Sequence, residues 1–463
     1  MNSDRLSPAG LANRRAVVMG LGRFGGGIGA AQYLLRCGAR VLGTDLRQAH
    51  ELPEAMAALA HTNVELRLGR HDEADFEAAD VVVANPAVRP DHPLLERARA
   101  SGALVTGEVE LFMAAARCNL IGITGTQGKS STTTFVTQLL CSAGRRAHAG
   151  GNLGGSLLEH VDTLGADEWV VLELSSYQLE ALAKPPANTR SFRAVAVTNV
   201  ELDHLERHGD LAGYAAAKRR ILELAGDDTC AWLPGGPGPC ANWSTRRGRI
   251  ERFDPQPGDD DLDLSGGERA PGPRTLGLPA FQAANLRLAF GLVRELGLSI
   301  EDVRRGAQTL APPPHRLERL PDLAGAAVYD NGVSTTPDST ASALASIEAP
   351  VVLLVGGKLK DLPLEPLVQA ARRNTRVAVT FGAAAEHLAA VLAAAGVRSE
   401  VGGDLARAVR IAGAHVRPGD ALVFSPACAS FDAFPNFKER AGSFRMALEE
   451  LRRAADGVGS RLS

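Results

Sequence analysis

Nowhere does this 463-residue sequence run apolar for the ~18 consecutive positions that a membrane-spanning helix requires. The opening residues, MNSDRLSPAGLANRR, carry no apolar core of signal-peptide length, so a cytoplasmic protein that works away from membranes is expected. Cysteine is sparse and unpatterned. Cys37, Cys118, Cys141, Cys230, Cys240 and Cys428 never take CxxC spacing, which fits reduced, mostly buried thiols better than a disulfide framework or a zinc site. An excess of either charge is missing too: 50 Lys and Arg stand against 53 Asp and Glu, a net charge of −3. That balance gives no electrostatic case for nucleic acid, and a small anionic substrate would need a local pocket. What the chain has in quantity is apolar residues, 45% of the total. Its length, at a prior of ~150 residues per domain, predicts about three cores.

The stretch that organises the chain is LIGITGTQGKSSTTTFVTQLL, residues 120–140. An apolar strand runs into a glycine-bracketed turn, which opens into a segment with Phe135, Val136, Leu139 and Leu140 at helical spacing. Gly125 and Gly128 let backbone N–H groups approach an oxyanion, Lys129 adds a positive charge, and the helix N-terminus adds its own partial charge. Ser130 is then placed to hold Mg²⁺ on a nucleotide. The general G-x-x-x-x-G-K-[ST] phosphate loop is matched except at its first position, which is Ile123.

Upstream, residues 16–45 predict strand, glycine turn, helix and strand. Gly20, Gly22 and Gly25 make G-x-G-x-x-G, and Asp45 closes the next strand. Such a turn binds any phosphate or diphosphate, and no hydride-transfer chemistry stands beside it. A dinucleotide oxidoreductase therefore leaves the rest of the chain unexplained. Downstream of the phosphate loop, GGNLGG holds Asn152, an apolar strand ends at Glu173, and the next strand leads to Asp203, His204 and a helix with Lys218. Ligands of open parallel sheets sit outside the carboxyl ends of strands, so Lys129, Ser130, Glu173 and His204 are predicted to converge. Ser130 and Glu173 supply the hard oxygens that suit Mg²⁺. Residues 235–275 predict surface loops and short strands, and APPPHRLERL predicts a break before a further Rossmann-like region with polar residues at its strand ends. The expected fold is α/β: three Rossmann-like domains at 1–112, 113–311 and 312–463, the central one of P-loop ATPase type.

GITGTQGKSS, GGNLGG, LELSSYQLE, TNVELDHLERH, YAAAK, HRLE, GGKLK and SPACASFDAFPNFKERAGSF occur in that order over residues 16–450. Together they resemble the Mur ligases of peptidoglycan synthesis. LELSSYQLE and SPACASFD point within that family to the step that adds D-glutamate to UDP-N-acetylmuramoyl-L-alanine. The resemblance implies ATP-dependent activation of a carboxylate as an acyl phosphate, which an amine then attacks, with ATP and two Mg²⁺ ions as cofactors. It implies nucleotide contacts from Gly125, Thr126, Gln127, Gly128, Lys129, Ser130, Ser131, Asn285, Arg316 and Asn331. Catalytic roles fall to Lys129, Glu173, His204 and Lys218. Ser130 and Glu173 would hold one metal ion; His204 would hold the other, together with Lys218 if that lysine is carbamylated. The UDP-sugar would meet Gly22, Arg23, Phe24, Asp45, Arg47 and Asn152, and D-glutamate would meet Thr335, Lys360, Ser430 and Phe437. The partners are then small molecules, with no nucleic acid or membrane, and a monomer is expected.

Three departures from the family pattern stand out. The family's D-S-K-A-T-N segment is Asn331-Gly332-Val333-Ser334-Thr335-Thr336 here, so Asn331 replaces an aspartate, and Asp330 precedes it. Gln127 replaces the usual Asn, and NPAV at 85–88 the commoner SPG-type turn. Residue types alone leave open whether the added amino acid is D- or L-glutamate, and whether the step is another in the superfamily. A non-catalytic nucleotide-binding regulator would lack Lys129, Glu173, His204 or Lys218, and all four are present.

Overall fold

The computed structural model describes residues 5–22, 25–153, 155–182, 192–256, 260–264, 267–360 and 362–459. The first sheet is built from β1 (Arg15–Met19), β2 (Arg40–Asp45), β3 (Glu65–Leu68), β4 (Val81–Ala84) and β5 (Leu104–Thr106). It is wholly parallel in the order β3-β2-β1-β4-β5. The winding reverses between β1 and β4. There Gly20 follows β1 and Gly25 precedes α1 (Gly26–Arg36), and an added Cβ at Gly20 would lie 2.9 Å from the Asn85 side chain.

The second sheet contains β6 (Asn119–Thr124), β7 (Ala147–Gly151), β8 (Trp169–Glu173), β9 (Phe192–Val197), β10 (Ala225–Pro234) and β11 (Arg249–Phe253). It too is wholly parallel, in the order β11-β10-β9-β6-β8-β7. The winding reverses around β6, and its carboxyl end releases the chain into the phosphate loop and α2 (Lys129–Ser142). Strands buried on both faces read as continuous apolar runs, as Val170, Val171 and Leu172 do, so polar residues fall where the strands end. The acidic, Gly/Pro-rich stretch gives edge strand β11 and an antiparallel pair, β12 (Asp261–Asp263) with β13 (Arg269–Pro271).

The third sheet contains β14 (Glu318–Leu323), β15 (Ala326–Asp330), β16 (Val351–Gly356), β17 (Thr375–Phe381), β18 (Ser399–Gly403) and β19 (Ala421–Ala427), in the order β14-β15-β19-β16-β17-β18. Only β14 runs antiparallel to its neighbour. Along β16, Leu353 and Val355 join one apolar cluster while Val352 and Leu354 join the other, so helices cover both faces.

Two compact units result. One comprises Met1–Gln256, Asp261–Pro271 and Ala284–Leu310 and holds the first two sheets; one apolar cluster runs through both, from Val18 and Leu34 to Leu172 and Val195. The other comprises Pro257–Asp260, Gly272–Ala283 and Ala311–Ser463 and holds the third. The division at Leu310 and Ala311 falls directly before Pro312–Pro314, which can neither continue a helix nor donate to a sheet.

Candidate active site

The phosphate loop is shaped by backbone geometry. Gly128 sits at φ +78° as the residue before α2, and an added Cβ would lie 2.1 Å from the Asn285 Oδ1, so glycine is required on both counts. Asn285 lies in α4 (Ala283–Glu295), and its Oδ1 also accepts from the Thr132 hydroxyl at 3.4 Å. The first helical hydrogen bond runs from Thr132 N to Gly128 O, so the amides that open α2 present an anion-binding end at the strand terminus. Lys129 Nζ crosses the loop to donate to Gly125 O at 2.9 Å and Thr126 O at 3.0 Å.

Asn199 and Thr198, directly after β9, set the loop's path. Asn199 Oδ1 accepts from Gln127 N at 2.9 Å and Thr126 N at 3.2 Å, while Thr198 Oγ1 donates to Gln127 O. Sequence reasoning passed over both; their signal was the polar pair TN ending an apolar strand.

Glu173 ends β8 beside β6, in register with Ile123, and is 2% exposed. Its Oε1 accepts from Asn152 Nδ2 at 3.0 Å, whereas Oε2 is buried with no hydrogen-bond partner. A desolvated carboxylate oxygen without a donor is unfavourable unless a cation completes it, and this oxygen fits a hard divalent ion beside the loop. Lys218, on α3 (Leu211–Arg219), is 1% exposed; its Nζ donates to the same Gly125 O that Lys129 uses, at 2.6 Å, and lies 4.3 Å from the Tyr214 ring centroid. Burial, reinforced by the Lys129 charge, pushes the Lys218 pKa well below its ordinary value, against the pull of Asp203 and Glu173.

His204 sits at φ +54° at the N-terminus of a short helical turn, Leu205–His208, held between Asp203 at 3.6 Å and Glu206 at 3.4 Å. Its ring lies 5.1 Å from that of Tyr177 and 6.1 Å from that of Tyr214. Tyr214 thus neighbours both His204 and Lys218. Lys129, Glu173, His204 and Lys218 thus gather at adjoining ends of β6, β8 and β9.

At the first sheet, the turn carrying Gly22 (φ +77°) is closed by Asp45, whose Oδ2 accepts from Leu21 N at 3.0 Å. Arg47 pairs with the same carboxylate through Nε at 3.0 Å and Nη2 at 2.9 Å. Burial works to raise the Asp45 pKa, but the Arg47 hydrogen bonds and charge prevail and hold it below 3.8. Asp45 and Arg47 act first on each other. Arg23 and Phe24 lie outside the described residues. Gly25 faces the second glycine-rich segment: an added Cβ would lie 3.5 Å from Gly155 Cα. The exposed Asn152 is three residues before that contact.

In the other unit, the sequence-predicted residues occupy the ends of neighbouring strands. Thr335 follows β15, Lys360 follows β16, Ser430 follows β19, and Phe437 opens α5 (Phe437–Gly459). Thr335, Lys360 and Phe437 are half-buried and Ser430 is buried. Asn331 is fully engaged: Oδ1 accepts from Leu317 N at 3.1 Å and Nδ2 donates to Ser425 Oγ at 2.9 Å. Asp330 accepts from Arg445 Nε at 2.7 Å and Gly332 N at 2.9 Å and meets His315 Nδ1 at 2.7 Å. Arg316 stands between two left-handed residues, His315 at φ +63° and Leu317 at φ +51°. His315, Glu318 and Asp330 form the one three-residue cluster of metal-ligating type among the described residues. The Arg445 guanidinium, 2.6 Å from Glu318 and 2.7 Å from Asp330, already fills its centre, so the cluster is an ion-pair network.

Comparisons with known proteins identify the family. Residues 14–107 match the model of the Mur ligase MurD-like N-terminal domain, 123–236 the Mur ligase middle domain, and 315–428 the Mur ligase glutamate ligase domain. A UDP-N-acetylmuramoylalanine--D-glutamate ligase of Anaeromyxobacter dehalogenans is 37% identical, over 96% of this chain and 99% of that protein. The chain belongs to the Mur ligase family. One of Geobacter metallireducens, bearing the same name, is 34% identical over 97% of this Mur ligase and 99% of the relative. Among solved structures, MurF from Acinetobacter baumannii superposes with a TM-score of 0.60 at 15% identity, covering 96% of this chain and 91% of that one. UDP-N-acetylmuramate-alanine ligase MurC from Thermotoga maritima gives 0.57 at 17% identity, covering 94% and 99%. At such identities the structural likeness speaks for the fold. Among the described residues no helix is long and apolar enough to cross a membrane.

Proposed function

We propose that this Mur ligase joins D-glutamate to UDP-N-acetylmuramoyl-L-alanine at the expense of ATP, as a cytoplasmic monomer divided at residues 112 and 311. The observation that carries the reading is likeness over nearly the whole chain to proteins named for that activity, 30% to 37% identical. The chemistry of the second sheet supports it. Amide formation from a free carboxylate is uphill in water, so the acid must first be phosphorylated and the new acyl phosphate kept for the amine.

The chain's residues divide that work. The Gly125–Ser131 loop, with the amides that open α2, cradles the transferring phosphates, and Lys129 neutralises charge on them. Asn285 adjoins the loop for the nucleotide, and Arg316 and Asn331 are assigned nucleotide contacts as well. Glu173 Oε2 and Ser130 would hold one Mg²⁺; His204 and Lys218 would serve a second. Bound magnesium supplies charge neutralisation and in-line alignment of the phosphoryl group. Burial disfavours the protonated amine and so favours the neutral form that carbon dioxide carbamylates, a reaction that would turn Lys218 from a cation into an oxygen ligand. The Gly22 turn, with Arg23, Phe24, Asp45, Arg47 and Asn152, would receive the UDP-sugar. Thr335, Lys360, Ser430 and Phe437 would receive D-glutamate, with the Lys360 ammonium suited to a carboxylate.

Phosphate release with ATP, Mg²⁺ and UDP-N-acetylmuramoyl-L-alanine tests the reading. Release that depends on D-glutamate is expected. Release with L-glutamate alone would change the product, and release that ignores every amino acid would overturn the ligase assignment.

A further inference from the structure

Among the described residues Arg440 is the largest side chain essentially removed from solvent, at 0% exposure. No carboxylate pairs with it among the described residues. Its guanidinium is satisfied by main-chain carbonyls: Nη1 donates to Cys428 O at 2.9 Å, and Nη2 to Gly332 O at 3.3 Å and Ser334 O at 3.4 Å. Its Nε is buried with no hydrogen-bond partner. Burial brings its pKa down to about 10. Asp432 is the carboxylate whose charge favours the cation, but burial prevails over it. A desolvated cation with no carboxylate in hydrogen-bond contact is unfavourable for folding, and an apolar side chain of similar volume would fill the space more cheaply.

The three segments around that guanidinium explain its retention. Gly332–Ser334 precedes Thr335, and Cys428 precedes Ser430. Gly357, three residues before Lys360, packs so closely that an added Cβ would lie 2.9 Å from Arg440 Nη1; its φ of +128° is likewise a glycine conformation. The second and third segments are joined by reciprocal bonds between Lys358 and Ala429, both 2.9 Å. Between them, Ala427 is held at φ +59°, a left-handed conformation that costs a non-glycine residue energy and persists only when its neighbours fix it. Arg440 binds the carbonyl of the very next residue.

We propose that Arg440 is a positioning residue for the incoming amino acid: its buried guanidinium ties together the turns that carry Thr335, Lys360 and Ser430 and so sets their spacing. The inference rests on the reading of those three residues as the amino-acid site. Arg440 does not touch substrate; it acts through the turns whose carbonyls it binds.

The test compares Arg440→Lys and Arg440→Met in the full chain with two readouts. In steady-state kinetics, KM for D-glutamate is expected to rise about 10–50-fold in Arg440→Lys and further in Arg440→Met, while KM for ATP and for the UDP-sugar changes by less than about twofold. In hydrogen exchange without ligands, amides of 332–336 and 428–431 are expected to exchange about tenfold faster in Arg440→Lys, while those of β17 do not change. All three KM values moving together, or none moving, would reduce Arg440 to a stability residue and overturn the proposal, as would unchanged exchange in both turns. Should Arg440→Met fail to fold, Arg440→Lys carries both readouts. Wild-type protein that releases no phosphate in response to D-glutamate would refute the functional reading instead, and the exchange readout would then decide the role of Arg440 alone.

Discussion

The strand ends of the second and third sheets use similar residues to opposite effect. Both sheets are largely parallel, both reverse their winding, and both place polar side chains where apolar strands stop. At the second sheet a buried carboxylate oxygen of Glu173 has no donor, and the buried amine of Lys218 rests on one carbonyl and an aromatic face. At the third, Asp330 is surrounded by donors, and Asn331, Ser425, Thr340 and Ser334 form a continuous chain of hydrogen bonds of 2.7–2.9 Å. Polar groups that satisfy one another define a shape. Groups held in a dry site with a lone pair unfilled define a place for something else.

The largest expected effects come from the unfilled end. Glu173→Gln keeps the volume and can retain the Asn152 contact, but removes the charge that a divalent cation needs. Turnover should fall by about 10²–10³-fold or more, with the thermal midpoint unchanged within a few degrees. A variant that loses stability but keeps turnover would break the contrast at once. Gly128→Ala is next: it combines φ +78° with a Cβ 2.1 Å from Asn285 Oδ1. Strain of about 1–3 kcal/mol at that position should weaken nucleotide binding roughly 5–150-fold, measurable by titration calorimetry.

At the closed end the phenotype should invert. Asp330→Asn leaves Arg445 and His315 facing an amide in place of a carboxylate, at a site with 0% exposure. The cost should be about 1–3 kcal/mol in denaturant unfolding, while turnover of the folded protein stays within about threefold of wild type. Turnover lost at unchanged stability would mean that Asp330 reaches the nucleotide, and that the two strand ends are alike after all.

What the sequence disclosed follows the same division. The phosphate loop, Glu173 and the alternation of strands and helices are local patterns, readable because glycine spacing and apolar runs reflect nearby geometry. The partners that close the third sheet are distant. Arg445 lies 115 residues from Asp330, and Arg440 lies 108 residues from Gly332; each looks like an ordinary charged residue of an amphipathic helix. The role of Asn331, placed by alignment of motifs where an aspartate is expected, depends on Leu317 N and Ser425, which no local pattern brings near it. Lys218 is a similar case: YAAAKRR reads as a solvated helix face, and only the packing of α3 against the loop takes the lysine out of water.

The first sheet supplies an intermediate case and the smallest expected effect. Asp45 lies at a glycine turn assigned to the UDP-sugar, yet it is closed by Leu21 N and by Arg47. If closure marks a shaping group, Asp45 should declare itself through stability. Its folded-state pKa lies below 3.8, so near that pH the unfolded chain binds more protons than the folded one. The stabilisation is therefore complete above 3.8 and disappears as the pH falls through the lowered value. Asp45→Asn should cost about 1 kcal/mol near neutral pH, on the scale of a single net hydrogen bond. The gap from wild type should close in acid, where the wild-type carboxylate is protonated as well. Urea unfolding of both proteins between neutral pH and the acid limb measures that gap. Parallel curves at every pH would show that the Asp45 charge does not stabilise the fold, and would move it from the closed class of strand ends to the open one.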